Sequence, residues 1–292
     1  MAGLDAFADI TKRNEPLAPY TYFKLGGPAE ALIQPTTREQ LSAVVKHCQA
    51  ERVPLHILGG GGNVLVRDEG LRGVVLRLSG PAFATVEVSD REVRAGCGAS
   101  LAAVISEATR HGLAGLETLV GIPGSVGGAL RCNAGDRANE IGQHVRMVEV
   151  MDERGRIDQR ERAELKFAPG SSNLDDPVLL SAGFELDRDD PDTIVKRMRK
   201  AWIQRKANQP LSFQAAGRIF KDPRGRSAAA LIEQANLAKT RVGGAEVCDR
   251  NANFIVAHPG ATARDVLRLI ELVRSRVQEK FALELELEIA VW

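Results

Sequence analysis

Two glycine-rich stretches are the strongest candidates for chemistry in this sequence. The first is Gly59-Gly60-Gly61-Gly62-Asn63, and the second is GIPGSVGGA at 121–129. Glycine permits positive φ and lets successive backbone N–H groups come close to a ligand, which suits phosphate oxygens. A tight turn without a ligand would explain either stretch alone. Two such stretches in one chain favour a site for a cofactor that carries two phosphates.

The known nucleotide-binding motifs do not account for these stretches. The sequence has no GxxxxGK[ST] pattern, which excludes a P-loop. A GxGxxG pattern fails at Val64, and the residues after it read as a strand instead of a helix. The sequence therefore predicts phosphate binding by loops that connect strands.

Metal chemistry has no support in the residue spacing. The cysteines Cys48, Cys97, Cys132 and Cys248 form no CxxC pair, and the histidines form no HxH or HxxxH pair. We expect reduced thiols and no metal site.

The elements that would position the glycine stretches follow from hydrophobic periodicity. A helix is predicted at 38–52, where the apolar positions fall on one face. The residues around Ser89 and Asp90 alternate as in a hairpin, and the chain ends in an alternating strand, LELELEIAV. Other predicted helices cover 100–111, 226–236 and 261–280, the last capped by Thr262. The pattern changes near 188 from short strands with irregular links to a charged amphipathic helix, and we place a domain boundary there.

Length and composition limit the class of protein. The 292 residues suit two domains. A formal net charge of +1 and an aromatic content of 4% argue against a nucleic-acid partner. The N-terminus lacks the apolar core of a secretory signal, and no apolar run approaches the ~20 residues of a membrane span. We therefore expect a cytoplasmic protein without a membrane partner; the sequence gives no signal for an oligomeric state.

Seven segments resemble the UDP-N-acetylenolpyruvoylglucosamine reductase (MurB) family, of the shorter type, and they occur in the family's order. They are YTYFKLGGPAEAL (20–32), LGGGGNVLVRDEGLRGVVLRL (58–78), GLETLVGIPGSVGGALRCNAG (115–135), NQPLSFQAAGRIFKDP (208–223), AALIEQANL (229–237), VGGAEVCDRNANFIV (242–256) and FALELELEIAV (281–291). The resemblance implies an α+β fold. An FAD-binding domain of the vanillyl-alcohol-oxidase (PCMH) type, in two lobes, would cover 22–188. A C-terminal α+β substrate domain would cover 195–292, with its last strand returning to the FAD domain.

The resemblance also implies an activity. NADPH would be the reductant and FAD the cofactor, and the substrate would be a UDP-sugar enolpyruvate of peptidoglycan precursor synthesis. The residues expected to bind FAD by matching position are Gly59, Gly60, Gly61, Gly62, Asn63, Gly121, Ile122, Pro123, Gly124, Ser125, Gly127, Gly128, Ala129 and Asn133. Glu288 matches the family's C-terminal glutamate, which helps to stabilise an enol-like intermediate. Strand alternation with Glu284 and Glu286 would equally make Glu288 a solvent-facing side chain.

Two expected catalytic positions depart from the family. Pro169 and Gly170 stand where the family has Tyr and Arg, and Arg218 stands where it has the proton donor, usually Ser. A guanidinium does not release its proton readily near neutral pH, so Arg218 is a poor general acid. Asp222 replaces an Asn, and its charge should repel a substrate diphosphate.

Three hypotheses follow from these departures. In the first, the chain is a working reductase in which Arg218 supplies the positive charge lost at Gly170, and Lys221 or a water gives the proton. In the second, it is a flavoprotein of the same fold that has lost or changed the reaction. In the third, it is an interaction protein without flavin. The catalytic candidates are therefore Glu288, Arg218 and Lys221.

Overall fold

The computed structural model describes residues 3–136, 139–210, 214–215 and 217–292. Its helices are α1 (Arg38–Ala50), α2 (Leu101–Arg110), α3 (Val126–Arg131), α4 (Pro191–Asn208), α5 (Ala228–Gln234) and α6 (Ala263–Phe281). Its first strands are β1 (Thr11–Pro16), β2 (Pro28–Ile33), β3 (Leu55–Ile57), β4 (Val64–Leu65), β5 (Leu71–Leu76), β6 (Val86–Ser89), β7 (Glu92–Gly96), β8 (Leu113–Ala114), β9 (Gly135–Asp136) and β10 (Asn139–Glu140). The later strands are β11 (Val145–Met151), β12 (Ile157–Glu161), β13 (Phe167–Ala168), β14 (Ser171–Ser172), β15 (Val178–Glu185), β16 (Asp187–Arg188), β17 (Gln214–Ala215), β18 (Arg241–Val242), β19 (Ala245–Val247), β20 (Ile255–Ala257) and β21 (Ala290–Val291). This mixture confirms the predicted α+β class.

The chain forms two compact units, each made of separate stretches of sequence. The first unit comprises residues 1–14, 30–60 and 72–204, and the second comprises residues 15–29, 61–71 and 205–292. The chain thus passes from one unit to the other between Gly60 and Gly61. The continuous domain ranges 22–188 and 195–292 stay a prediction.

The first unit contains two larger sheets with separate apolar cores, beside short two-stranded pairs. A four-stranded sheet has the order β1-β2-β5-β3, and a five-stranded antiparallel sheet has the order β12-β11-β15-β7-β6. Helix α1 buries Leu41, Val44 and Val45 in the core of the first sheet, on the face that the sequence predicted. Helix α2 packs its apolar face into the core of the second sheet. The two cores agree with the predicted two lobes.

The second unit is built on a four-stranded sheet and a long amphipathic helix. The sheet has the order β17-β20-β19-β18, and its apolar side forms one core with α5 and α6. Strand β21 pairs in parallel with β4, which brings the end of the chain beside the residues that follow the first glycine stretch.

Helix α6 begins where the sequence predicted. The Thr262 hydroxyl accepts a hydrogen bond from Asp265 N, and the Asp265 carboxylate accepts one from Thr262 N, which together form a capping box. Asp68 adds two acceptors, because its carboxylate binds Ala263 N at 2.9 Å and Arg264 N at 3.0 Å.

The C-terminal strand prediction was wrong over most of its length. Residues 283–289 alternate as expected, with Leu285 and Ile289 buried, but the strand is confined to Ala290–Val291. The preceding part makes one isolated bridge, Phe220 with Leu287. Alternation reports which face of an extended segment is buried, whereas a strand also needs a partner of matching length.

None of the helices within the described ranges combines the length with the apolar content that a bilayer crossing requires. All four cysteines carry free thiols, as expected.

Candidate cofactor and active site

The two glycine stretches lie against each other in the first unit. A Cβ atom placed on Gly60 would lie 2.4 Å from Gly124 Cα, and one on Gly59 would lie 2.5 Å from Ser125 Oγ. Both distances are shorter than any normal carbon contact. Glycine is therefore required at 60 because the two backbones approach closely, whereas at 59 a side chain would collide with the Ser125 hydroxyl.

Several backbone amides in this contact remain available to a ligand. No acceptor within the described ranges takes a hydrogen bond from the N–H groups of Gly59, Gly60, Gly124 or Ser125. Gly124 has a φ of +126°, and a Cβ there would meet no atom within 4 Å. Unpaired amides beside open space form the kind of concave surface that binds phosphate oxygens. The residues present therefore fit the diphosphate of a dinucleotide cofactor.

The second stretch is partly helical, which corrects the prediction of loops alone. Residues 126–131 form α3, because the Ser125 hydroxyl caps the helix by accepting a bond from Gly128 N at 3.4 Å. Gly127 packs on Cys97, which a Cβ would approach to 3.1 Å, and Ala129 is buried. Gly128, in contrast, is exposed and has open space in front of it. Ile122 and Pro123 lie in the turn before the helix.

Asn133 is buried and its side chain is engaged with protein. Its Nδ2 donates to Glu140 Oε2 at 2.6 Å and to Ala168 O at 3.1 Å, and its Oδ1 accepts from Gly142 N at 3.1 Å. These bonds explain why this position takes an Asn with a φ of +43°. Its main-chain N–H donates to Leu130 O at 3.2 Å, and contact of Asn133 with a cofactor stays a prediction.

In the second unit, the rest of the first glycine stretch touches the segments that carry the catalytic candidates. Gly62 O accepts a bond from Gly217 N at 2.8 Å. Asn63 Nδ2 donates to Glu288 O at 2.9 Å, and Asn63 O accepts from Ala290 N at 3.0 Å. Gly61 is buried, and its N–H has no acceptor among the described residues. Because a buried N–H is normally paired, this amide also points to a ligand.

Arg218 and Glu288 form a salt bridge. Arg218 Nη2 lies 3.1 Å from Glu288 Oε1, and the Glu288 side chain is 12% exposed. Glu284 and Glu286 on the same segment are 78% and 74% exposed, so Glu288 is not one of a row of solvent-facing carboxylates. Burial raises the pKa of Glu288 above its usual value, and the charge of Arg218 opposes that increase.

Lys221, the third catalytic candidate, and Asp222, which departs from the family, each contact another partner. Lys221 Nζ lies 3.4 Å from Glu286 Oε2, in an exposed pair. Asp222 Oδ1 accepts a bond from Ala228 N at the start of α5, at 2.9 Å. The positive end of that helix favours a carboxylate there. This contact explains why position 222 holds an Asp, which the sequence alone did not reveal.

The position that matches the family's arginine lies in a tight turn. Pro169 and Gly170 connect β13 to β14, and Gly170 has a φ of +72°. An L-residue other than glycine is strained in this conformation. In the matching segment 208–223, residues 211–213 and 216 lie outside the described residues.

Asn253 is a site residue that the sequence analysis missed. It is 2% exposed and bonds to the main chain of Phe220, two residues after Arg218. Its position beside an apolar strand, in NANFIV, is the one signal that a buried amide was needed there. Within the described ranges, no group of three His, Cys, Asp or Glu residues could hold a metal ion.

Comparisons with known proteins match both parts of the chain. Residues 29–159 match the family model of an FAD-binding domain. Residues 209–292 match the model of the UDP-N-acetylenolpyruvoylglucosamine reductase C-terminal domain.

Relatives and a solved structure match nearly the whole chain. UDP-N-acetylenolpyruvoylglucosamine reductase 2 of Symbiobacterium thermophilum is 41% identical over 283 residues, which cover 96% of this chain and 92% of the relative. UDP-N-acetylenolpyruvoylglucosamine reductase of Clostridium botulinum is 38% identical, over 98% and 95% of the two chains. The crystal structure of the MurB reductase from Thermus caldophilus superposes with a TM-score of 0.82 at 37% identity, over 97% of this chain and 98% of that one.

Proposed function

The chain belongs to the UDP-N-acetylenolpyruvoylglucosamine reductase family, and from this premise we propose that it reduces UDP-N-acetylglucosamine enolpyruvate to UDP-N-acetylmuramate with NADPH and FAD. The reaction adds a hydride and a proton across the enolpyruvyl double bond. It would serve peptidoglycan precursor synthesis in the cytoplasm. Bound FAD supplies the transfer of hydride from NADPH to the substrate.

The amides of the glycine contact would hold the FAD diphosphate. Those of Gly59, Gly60, Gly124 and Ser125 carry this role. Helix α3 begins beside them, so the open position at Gly128 lets a phosphate come near its first turn. Gly127 and Ala129 act indirectly, because they fix α3 against the protein.

Glu288 and Arg218 would act on the substrate as a pair. The substrate gains negative charge on its enolpyruvyl carboxylate side as the hydride arrives, and a nearby guanidinium stabilises such charge. Arg218 would do so from its place beside Glu288, since its side chain is 38% exposed. Burial raises the pKa of Glu288, and the charge of Arg218 opposes that increase. The proton for the substrate carbon would come from Lys221 or from a bound water.

The observation that carries this proposal is the Arg218–Glu288 salt bridge, because it puts a cation on the family's glutamate in place of the missing arginine. The test is to incubate the purified, FAD-loaded protein with NADPH and the UDP-enolpyruvyl sugar. We expect NADPH to be consumed and the sugar to gain two hydrogens. Oxidation of NADPH without a saturated product would refute it.

The departures at Gly170 and Arg218 favour one alternative, a flavoprotein of this family that has lost or changed the reaction. Restoring the family's residues tests it, and the turn geometry decides the design. Because Gly170 has a φ of +72°, Pro169→Tyr and Gly170→Arg must be introduced together, so that the turn can reform, and combined with Arg218→Ser. The alternative expects the restored protein to be far more active than the wild type, and equal activity would exclude it. A protein that stays colourless after FAD addition would exclude both candidates.

A further inference from the structure

One residue outside the family's catalytic set grips the segment that carries Arg218. The Asn253 side chain accepts a hydrogen bond from Phe220 N at 2.9 Å and donates one to Phe220 O at 2.7 Å. The Asn253 main-chain oxygen accepts a third bond, from Ile219 N at 2.9 Å. With 2% of its surface exposed, Asn253 makes these bonds in a water-poor environment.

An asparagine suits this task for a chemical reason. Its carboxamide presents one acceptor and two donor hydrogens in a plane, so it can pair with both main-chain groups of a single residue. Asn253 is itself fixed, because its N–H donates to Asn251 Oδ1 at 3.0 Å and the chain enters β20 two residues later. Leaving either Phe220 group without a partner would be costly in this buried position.

The opposite edge of the same segment contacts the Glu288 region. Glu288 N donates to Ile219 O at 2.8 Å, and Lys221 N donates to Glu286 O at 2.9 Å. Residues 219–221 are therefore held between Asn253 and residues 286–288. The main chain next to Arg218 is bound from both edges, and Arg218 faces Glu288 from this fixed segment.

We propose that Asn253 is a positioning residue, which holds Arg218 at salt-bridge distance from Glu288. The effect on turnover rests on the proposed function, whereas the effect on Glu288 does not. The charged groups that act on Glu288 are Arg218, Lys221 and Asp222, and Arg218 is the strongest of them. Weakening its contact should therefore make Glu288 bind its proton more tightly.

The test is a double-mutant cycle read out on the Glu288 carboxyl by carbon-13 NMR of FAD-loaded protein. Glu288→Gln identifies the signal by its loss. We expect Arg218→Ala to raise the pKa of Glu288, and Asn253→Ala to raise it in the same direction. In the double variant Asn253→Ala should add nothing, because the contact through which it acts is already gone. Thr262→Ala is the matched control, since it weakens the same unit at a helix cap and should leave the Glu288 titration unchanged.

Asn253→Ser provides the second variant, because its hydroxyl still offers one polar group to the buried main chain of Phe220, and it replaces Asn253→Ala if that protein does not fold. An unchanged Glu288 titration in the folded Asn253 variant overturns the proposal, as does an equal shift with and without Arg218. If the wild type turns over, kcat/KM should fall about 10- to 100-fold, as expected for misplaced reacting groups. If the wild type does not turn over, the titration still decides the role of Asn253.

Discussion

Arg218 and Glu288, 70 residues apart in the sequence, form a salt bridge of 3.1 Å in which the Glu288 side chain is 12% exposed. A carboxylate so placed loses hydration, and the charge of Arg218 recovers part of that loss. The contact joins the residue that departs most from the family to the one that matches it. It also indicates that Arg218 serves as a positive charge and not as a proton donor, because a guanidinium keeps its proton near neutral pH.

Glu288→Gln should change how stability depends on pH. Burial raises the folded-state pKa of Glu288 above the ordinary 4.5, so the folded protein keeps this proton where the unfolded chain has released it. The stabilisation from the protonated group is complete below about pH 4.5 and is lost as the pH rises through the folded-state pKa. The free energy of unfolding of the wild type should therefore fall relative to that of the variant over this range, measured by urea denaturation. Glu284→Gln, at an exposed carboxylate of the same segment, is the matched control for the loss of one negative charge. Parallel curves for the wild type and Glu288→Gln would contradict the burial argument.

Gly60→Ala should separate the two glycine stretches. Its Cβ would lie 2.4 Å from Gly124 Cα, so the backbones must move apart. We expect the free energy of unfolding to fall by about 1–3 kcal/mol, as for other overpacked sites, and the protein to lose FAD during purification. Gly225→Ala is the control, because its φ of +77° brings strain but its Cβ meets no atom within 4 Å. Full retention of FAD by Gly60→Ala would show that the close contact does not shape the cofactor site.

Gly128→Ala should stabilise the apoprotein and weaken the binding of FAD. The position is helical and open, with Ser125 Oγ at 3.6 Å as the nearest atom to a new Cβ. Alanine in a helix should stabilise the apoprotein by about 0.5–1 kcal/mol. If a phosphate approaches α3 here, FAD affinity should fall about tenfold, equivalent to roughly 1.4 kcal/mol. Urea denaturation of the apoprotein and a flavin fluorescence titration measure the two effects, and unchanged affinity would remove Gly128 from the site.

Asp68→Ala should destabilise α6 and leave the turnover rate unchanged. The variant loses the acceptors of Ala263 N and Arg264 N, which should cost about 1–2 kcal/mol of unfolding free energy. Asp68→Asn keeps an acceptor and should recover much of this loss. Turnover per folded molecule should equal that of the wild type in both variants. A change in kcat with unchanged stability would mean that Asp68 serves another role.

Local signals in the sequence predicted the elements whose energetics are local. Helix α1 follows from its apolar spacing, and α6 begins at Thr262 because its capping partner lies three residues away. The sequence did not predict α3, since glycines at 127 and 128 lower helix propensity and conceal the cap at Ser125. Tertiary contact with the sheet, through Gly127, holds that helix in place.

The active site was predictable only in part, because its geometry depends on distant pairs. The glycine stretches and Glu288 were found from their types and from the resemblance. The salt bridge of Glu288 with Arg218 and the grip of Asn253 on Phe220 were not, since 70 and 33 residues separate the partners. No periodic pattern reports such contacts, and the LELELEIAV alternation even suggested that Glu288 faces water.

The second unit draws residues 15–29 and 61–71 from the first quarter of the chain and the rest from residues 205–292. Strand β4 thus pairs with β21 only after 226 further residues have been synthesised, and Asp68 contacts the start of α6 only after 195 further residues. A ribosome adds roughly 5–20 residues each second, so these partners stay unmatched for about ten seconds or longer in every round of translation. The second unit, which holds Glu288, therefore completes its folding only after residues 205–292 have been synthesised, and no single cut in the chain separates it as a fragment.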